Sequence, residues 1–171
     1  MALTPEQLTA LRAACFADPL AAPYFLAPGN SAGLHAYLNS TSAFIVWKTS
    51  VQLEEITQNG FDWVRVDNLS VGKARIWDWM FGGEDRSINP SKPNVRAGIE
   101  EVWKGTAADL AVRAQVYVHC KRAATVGEAK LATGTGTDVA PGFLTHIGEI
   151  IPVDATRLIY KDDGTLWTAG G

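Results

Sequence analysis

At three points where a helical pattern begins, a threonine is followed three residues later by a glutamine or a carboxylate, and this spacing fixes where helices begin. The pairs are Thr4 with Gln7, Thr106 with Asp109, and Thr125 with Glu128. In such a capping box the threonine side chain accepts a hydrogen bond from the later backbone N–H, and the later side chain accepts one from the threonine N–H. A helix is therefore predicted to begin after each of these threonines.

Apolar residues recur at helical spacing through the middle of the chain. The stretch NLSVGKARIWDWMF, residues 68–81, and the segment after a glycine- and proline-rich loop at 82–94 both repeat large apolar side chains every three or four residues. Trp79 lies about 200° around the first of these helices from Trp77, so tryptophans point to two sides. The predicted core consists of Leu69, Ile76, Trp77, Val95, Ile99, Val102, Trp103, Leu110, Ala114 and Tyr117.

The composition changes from residue 133 onward. Residues 133–142, TGTGTDVAPG, are small and glycine-rich, which predicts a flexible linker. The runs EIIPV and TRLIYKDDGTLWTA that follow predict strands, with a hairpin turn at Asp163 and Gly164. The predicted fold is mainly α: a helical bundle at 1–132, the linker at 133–142, and a C-terminal β-hairpin or extended arm at 143–171. Within the bundle, AFIVWK at 43–48 is expected to be extended.

The predicted arm needs a partner surface, because two strands alone are marginally stable in water. Its own helical body and an adjacent subunit are both candidates, and we expect the adjacent subunit, since exposed strand edges pair readily across chains. The residues predicted to form protein–protein interfaces are Trp79, Arg157, Leu158, Tyr160, Leu166 and Trp167.

Charge and composition exclude several classes of protein. The chain has 171 residues, with fifteen Lys and Arg, eighteen Asp and Glu, and a net charge of −3. No basic run exceeds Lys121–Arg122, so a DNA-coating surface is not expected. There is no leader-like segment and no apolar stretch long enough to span a bilayer, so we expect a protein that stays in the cytoplasm where it is made, without membrane contact. The cysteines, Cys15 and Cys120, are expected to be a reduced core pair.

No motif points to a cofactor or a metal. A phosphate-binding loop around Gly72 and Lys73 would need a glycine five residues earlier and a hydroxyl directly afterwards, but Asp67 and Ala74 occupy those positions. No Cys and His spacing resembles a zinc site. We therefore expect neither a nucleotide cofactor nor a metal ion.

A catalytic site has one weak candidate. His146 and Glu149 are spaced so that a base and a carboxylate could meet, although the segment is flanked by glycine. The pairs of adjacent acids look exposed, whereas a tuned acid/base pair usually has a buried member. We expect no enzyme activity, and a small soluble enzyme using His146 and Glu149 is kept as an alternative.

Long segments of the chain resemble a family of small virion proteins encoded in the structural gene clusters of tailed phages and prophages, usually assigned to the head–tail connector. The resemblance is carried by NGFDWVRVDNLSVGKARIWDWMF, by INPSKPNVRAGIEEVWKGTAADLAVRAQVYVHCKRAATVGEAKLATGTGT, and by the leading LTPEQLTALRAACFADP. It covers most of residues 59–137 and the first helix. The family has no catalytic motif to transfer to this chain.

The resemblance implies a neck adaptor located in the virion. Such a protein forms a homo-oligomeric ring, of about twelve copies under closed symmetry, that docks on the portal protein and receives the next neck or tail protein. It would line the channel for double-stranded DNA without sequence-specific binding, and mild acidity suits that role because it repels phosphate. A tail-completion or tail-terminator protein, which a ring of about six copies would favour, remains an alternative.

Overall fold

A computed structural model of the chain describes residues 2–26, 28–58 and 60–169. The helices are α1 (Pro5–Phe16), α2 (Ser31–Leu38), α3 (Leu53–Ile56), α4 (Trp63–Asp67), α5 (Val71–Met80), α6 (Pro93–Val102), α7 (Ala107–His119), α8 (Val126–Leu131) and α9 (Pro152–Ile159), with a 3-10 helix at Ala22–Phe25. The strands are β1 (Thr41–Trp47), β2 (Val51–Gln52), β3 (Ser87–Ile88) and β4 (Lys121–Thr125). These elements form two compact units: the terminal unit, Met1–Val46 with Ala123–Gly171, and the middle unit, Trp47–Arg122.

The fold is mixed α/β, and the prediction of a mainly α helical bundle with a C-terminal β-hairpin is wrong. The chain is 48% helical and 13% strand, with two small antiparallel sheets. One sheet pairs β1 with β4, and the other pairs β2 with β3, where Val51 lies opposite Ile88. These pairings join segments that are distant in sequence, and a two-residue strand is too short to show the alternation by which strands are recognised.

All three predicted capping boxes are confirmed. The structure shows both reciprocal hydrogen bonds at Thr4, Thr106 and Thr125, which begin α1, α7 and α8. The run AFIVWK also lies largely within a strand, β1, as the β-branched and aromatic residues predicted. Local signals of this kind depend on neighbouring residues only, so tertiary packing does not override them here.

The C-terminal segment is where the predicted hairpin fails. Residues 152–159 form α9, which has proline at its first position, where the missing N–H costs nothing. Its buried apolar residues follow helical spacing and are Ala155, Leu158 and Ile159. Beyond α9 the expected turn is present: Tyr160 and Leu166 form an isolated antiparallel bridge, with Gly164 in the turn at φ +80°. One bridge replaces the predicted pair of strands.

The core of the terminal unit joins both ends of the chain. Helix α9 packs against α1 and α2, and α8 packs against the same two helices. The backbone N–H of Leu3 also donates to a carboxylate oxygen of Asp154 at 2.8 Å. The buried apolar residues include Leu11, Cys15, Leu34, Leu38, Leu131, Ile150, Leu158 and Ile159. Residues 143–169 therefore contribute to one core with the N-terminal helices, which differs from the separate arm predicted for 143–171.

The glycine-rich segment 133–142 packs closely against β1, in contrast to the flexible linker predicted there. The N–H of Ile45 donates to the carbonyl of Gly136 at 2.7 Å, and the N–H of Gly142 donates to the carbonyl of Ile45 at 2.8 Å. A Cβ at Gly136 would lie 2.2 Å from the Phe44 ring, and its φ is +66°. Glycine is therefore required here by close packing and by a left-handed backbone.

The core of the middle unit contains Trp77 of α5, Ile99 and Val102 of α6, and Trp103, which directly follows α6. These two helices pack together, and α3 and α4 both pack against α7. The rings of Trp77 and Trp103 meet edge to face with centroids 5.3 Å apart. Of the predicted core residues, four are buried, namely Trp77, Ile99, Val102 and Trp103. Four others are partly buried against them, namely Leu69, Ile76, Val95 and Tyr117.

Helix α7 buries a different arc from the predicted one. Leu110 and Ala114 were predicted to be core residues, and both are exposed. The buried apolar residues are Val112, Val116 and Cys120, one turn apart. The prediction was wrong because both arcs of this helix are apolar, so periodicity could not decide which arc faces the protein.

Candidate protein interface

Helices α4 and α5 of the middle unit expose a set of large apolar side chains on one surface. We call this surface the tryptophan face and define it as Trp63, Val64, Val71 and Trp79. Their exposed fractions are 59%, 66%, 77% and 75% respectively. All four line one open groove of about 900 Å³. Exposed apolar residues are common singly, whereas four that line one groove make this surface the candidate interaction site.

Helix α4 holds its apolar residues outward because it is fixed on its other side. Arg65 pairs with Asp109 of α7, with Nη2 to Oδ1 at 2.8 Å, and this bond together with hydrogen bonds to Thr106 lowers the pKa of Asp109 to about 2. The ring of Trp63 rests edge to face on the buried Phe61, with centroids 5.2 Å apart. The exposed indole is therefore supported from beneath, which limits the side-chain entropy lost when a partner covers it.

Helix α5 presents tryptophans on opposite sides, as the sequence predicted. Trp77 points inward and is 5% exposed, while Trp79, two residues later, is 75% exposed. The helix begins at Val71 rather than at 68, because the Ser70 side chain accepts from the N–H of Lys73. This start separates α5 from α4 and creates the groove between them.

Polar residues surround the apolar centre of this groove. Asp67, Arg75 and Asp78 line it and are exposed. An apolar centre with aromatic residues and a charged rim is the composition found in protein–protein interfaces. The sequence identified Trp79 but missed Trp63, Val64 and Val71. No helix was predicted over residues 63–67, and the available signal was Ser70, a helix cap that starts α5 at Val71 and leaves the preceding residues free to form a separate helix.

The other predicted interface residues lie in the terminal unit and have different environments. Leu158 is fully buried in the core, so it is not available to a partner. Arg157 is exposed, and its carbonyl accepts from Nη2 of Arg12 at 2.8 Å. Tyr160 is partly buried, and its hydroxyl donates to the Pro28 carbonyl at 2.7 Å.

Leu166 and Trp167 are both partly buried. Leu166 packs against the core of the terminal unit. The Trp167 indole N–H donates to the Tyr160 carbonyl at 3.2 Å, and the guanidinium carbon of Arg12 lies 3.9 Å from its ring centroid. Arg157, Tyr160 and Trp167 are brought together along one cleft, Leu166 is not among the residues lining it, and Trp79 belongs to the middle unit.

The candidate catalytic pair has contrasting environments. His146 is 4% exposed, and its Nε2 has no hydrogen-bond partner among the described residues, whereas Glu149 is exposed. The two cysteine thiols are free and buried. Burial raises the pKa of Cys15 to about 11 and that of Cys120 to about 12, so both thiols are protonated at neutral pH.

In the described ranges, no group of three or more His, Cys, Asp and Glu side chains could hold a metal ion. Over the same ranges, none of the helices combines the length and the apolar character needed to cross a bilayer. Comparisons of the chain with protein-family models, with curated proteins and with solved structures give no significant match.

Proposed function

We propose that this protein is a structural subunit of a tailed-phage virion, a head-to-tail adaptor that forms a ring between the portal and the next neck or tail component. The observation that carries the proposal is the tryptophan face, because two exposed indoles in one groove, one of them resting on buried Phe61, are what a permanent partner surface would cover. Tryptophan is among the residues that most often dominate binding energy at such surfaces. The choice of a phage head-to-tail connector as the assembly comes from the resemblance of residues 59–137 to connector proteins.

The charge of the chain agrees with a position beside the DNA channel. A net charge of −3 disfavours tight binding to phosphates, so a genome could pass a ring of these subunits without being held. In this proposal the protein binds DNA neither by sequence nor strongly, and its affinity is reserved for neighbouring virion proteins.

A binding assay with the portal protein of the same phage tests the proposal. Truncating Trp79 to alanine removes an exposed indole from the groove, and we expect the affinity for portal to fall by about ten- to a hundredfold, the usual effect of losing a central aromatic contact. Leu20→Ala is the matched control, since Leu20 is 69% exposed but belongs to the terminal unit. That variant should bind like the wild type.

The same assay separates the two virion roles. Binding to isolated tails, with no binding to portal, would replace the adaptor by the tail-completion alternative. If the wild type and Trp79→Ala bind portal with equal affinity and also bind tails with equal affinity, the tryptophan face is not the binding surface.

A further inference from the structure

Three cations of the terminal unit converge on one cleft. Arg12, Arg157 and Lys161 line a cavity of about 430 Å³ beside Trp167, and Asp162 is the acidic residue in its lining. We call this the basic cleft. The guanidinium carbon of Arg12 lies 3.9 Å from the Trp167 ring centroid, and Nζ of Lys161 lies 5.0 Å from it. The indole therefore holds two of the three cations in place.

This concentration of positive charge is unusual for the unit that contains it. By sequence, the terminal unit has four Lys and Arg against eight Asp and Glu. The fourth cation, Lys130, pairs with Asp18 at 2.6 Å. A negatively charged unit thus places its other three cations around one cleft, where Asp162 and the Asp154 that pairs with Arg157 offset part of their charge. The remaining positive charge favours an acidic partner.

Arg12 is oriented by hydrogen bonds within the unit. Its Nε donates to the Leu158 carbonyl at 3.1 Å, and its Nη2 donates to the Arg157 carbonyl at 2.8 Å. Arg157 has a looser environment: its side chain is 58% exposed, and its Nη1 lies 3.8 Å from the buried Oδ1 of Asp154. Arg157 is thus the cation of the cleft best placed to meet an incoming carboxylate.

The middle unit carries the opposite charge pattern. Four exposed carboxylates, of Glu54, Asp78, Glu84 and Asp85, line a second cavity of about 720 Å³ together with one cation, Arg86. We call this the acidic pocket. Leu53, Trp63, Val66 and Phe81 contribute its apolar walls. Trp63, Val66 and Asp78 also line the groove of the tryptophan face, whereas Glu84 lines the acidic pocket and not that groove. Two surfaces of one chain therefore combine opposite charge with apolar contact area.

We infer that the basic cleft of one copy of this protein binds the acidic pocket of a second copy. The inference rests on the proposed ring and names the contact that builds it. Neither surface can face itself across a two-fold axis, because like charges would then be opposed. A contact between two different patches is head-to-tail, and repetition of such a contact closes a ring when the rotation permits.

Charge reversal on each side tests this contact. Arg157→Glu and Lys161→Glu change the cleft, and Glu84→Lys changes the pocket. Self-association of the purified protein is measured by sedimentation velocity at low and at high salt, with circular dichroism to check folding. Each single reversal should weaken self-association at least about tenfold, and either cleft reversal combined with Glu84→Lys should restore much of it. Wild-type association should weaken in high salt, since exposed charges are screened.

Two controls keep the test specific. Lys92→Glu makes the same change in net charge as Lys161→Glu at an exposed position outside both cavities, and it should leave association unchanged. Two cleft reversals are used because Arg157→Glu places a carboxylate near buried Asp154. If that variant unfolds, Lys161→Glu still decides the outcome.

Several results would overturn the inference. Unchanged self-association in the cleft reversals, or no restoration by the double reversals, would show that these surfaces do not meet. Loss of binding to a short DNA duplex in Arg157→Glu, with self-association intact, would assign the cleft to phosphate instead. Normal portal binding by a wild-type protein that does not self-associate in solution would refute this contact, while leaving the docking on portal in the proposed function standing. If self-association responds to the charge reversals as expected but the protein does not bind portal, this contact stands and the proposed function is refuted.

Discussion

Replacing Trp103 by alanine should destabilise the middle unit by roughly 3–5 kcal/mol, the usual cost of emptying a large aromatic core site. Trp103 has no exposed surface, and its ring meets those of Trp77 and Phe61 with centroids 5.3 and 6.4 Å away. Each aromatic contact adds about 0.5–1.5 kcal/mol beyond area burial. Against this, the buried indole N–H has no partner among the described residues, and its removal relieves about 1–3 kcal/mol. The two corrections roughly offset each other.

Urea denaturation followed by circular dichroism measures the free energy of unfolding by linear extrapolation. Trp79→Ala is the matched control, because Trp79 is 75% exposed and its loss should change stability by less than about 0.5 kcal/mol. Trp103→Phe keeps an aromatic ring and removes the unpaired N–H, so we expect it to cost less than half as much as Trp103→Ala.

The reasoning would be refuted if Trp103→Ala cost less than about 1 kcal/mol, since a core site cannot be emptied so cheaply. It would also be refuted if Trp79→Ala were as damaging as Trp103→Ala. That second result would mean that the face taken as exposed is part of the folded core.

Three further predictions concern other parts of the chain. Gly136→Ala should lower the free energy of unfolding by well over 1 kcal/mol, because the new methyl group clashes with Phe44 and the left-handed backbone is strained. Gly148→Ala is the control, since Gly148 has φ +102° with open space around it and its substitution adds the backbone strain alone. Equal losses in the two variants would contradict the close packing at Gly136. The pKa of Asp109 in the folded protein is about 2, below its ordinary value of about 4. The stability that its carboxylate contributes is therefore present above pH 4 and should be lost as the pH falls towards 2. Asp109→Asn should flatten that part of the curve of unfolding free energy against pH. Both cysteines should react with a thiol reagent only after denaturation, and rapid reaction of the folded protein would contradict their burial.

The sequence was most informative where structure depends on neighbouring residues. The capping boxes at Thr4, Thr106 and Thr125 required only the geometry of one helical turn. Two stripes, one containing Trp77 and the next containing Ile99 and Trp103, were predicted because large apolar side chains at helical spacing have few alternatives to burial. These features survived in a fold whose overall class was predicted wrongly.

The errors occurred where partners are distant in sequence. The strand pairs β1–β4 and β2–β3 depend on contacts that no local pattern encodes, and α9 was mistaken for a strand because β-branched residues precede and follow Pro152. The glycines at 136 and 142 were taken as a sign of flexibility, although they permit close approach to Phe44. Glycine content alone does not distinguish these two uses.

The candidate interface was predicted only in part, for a related reason. Trp79 could be identified because it lies off the apolar stripe of its own helix. Trp63 could not, because its exposure depends on α4 being a separate helix fixed by the Arg65–Asp109 pair. Leu158 was assigned to an interface because the segment around it was taken for a strand. In the structure the segment is helix α9, which places the Leu158 side chain in the core.

The central claim, that this protein is a stoichiometric part of a phage neck, is tested most directly by quantitative mass spectrometry of purified virions. We predict that the protein is present at a fixed ratio to the portal protein, as a closed ring requires, with about twelve copies per particle as the resemblance to connector proteins implies. Its absence from purified particles, despite abundance in cells producing them, would contradict the account.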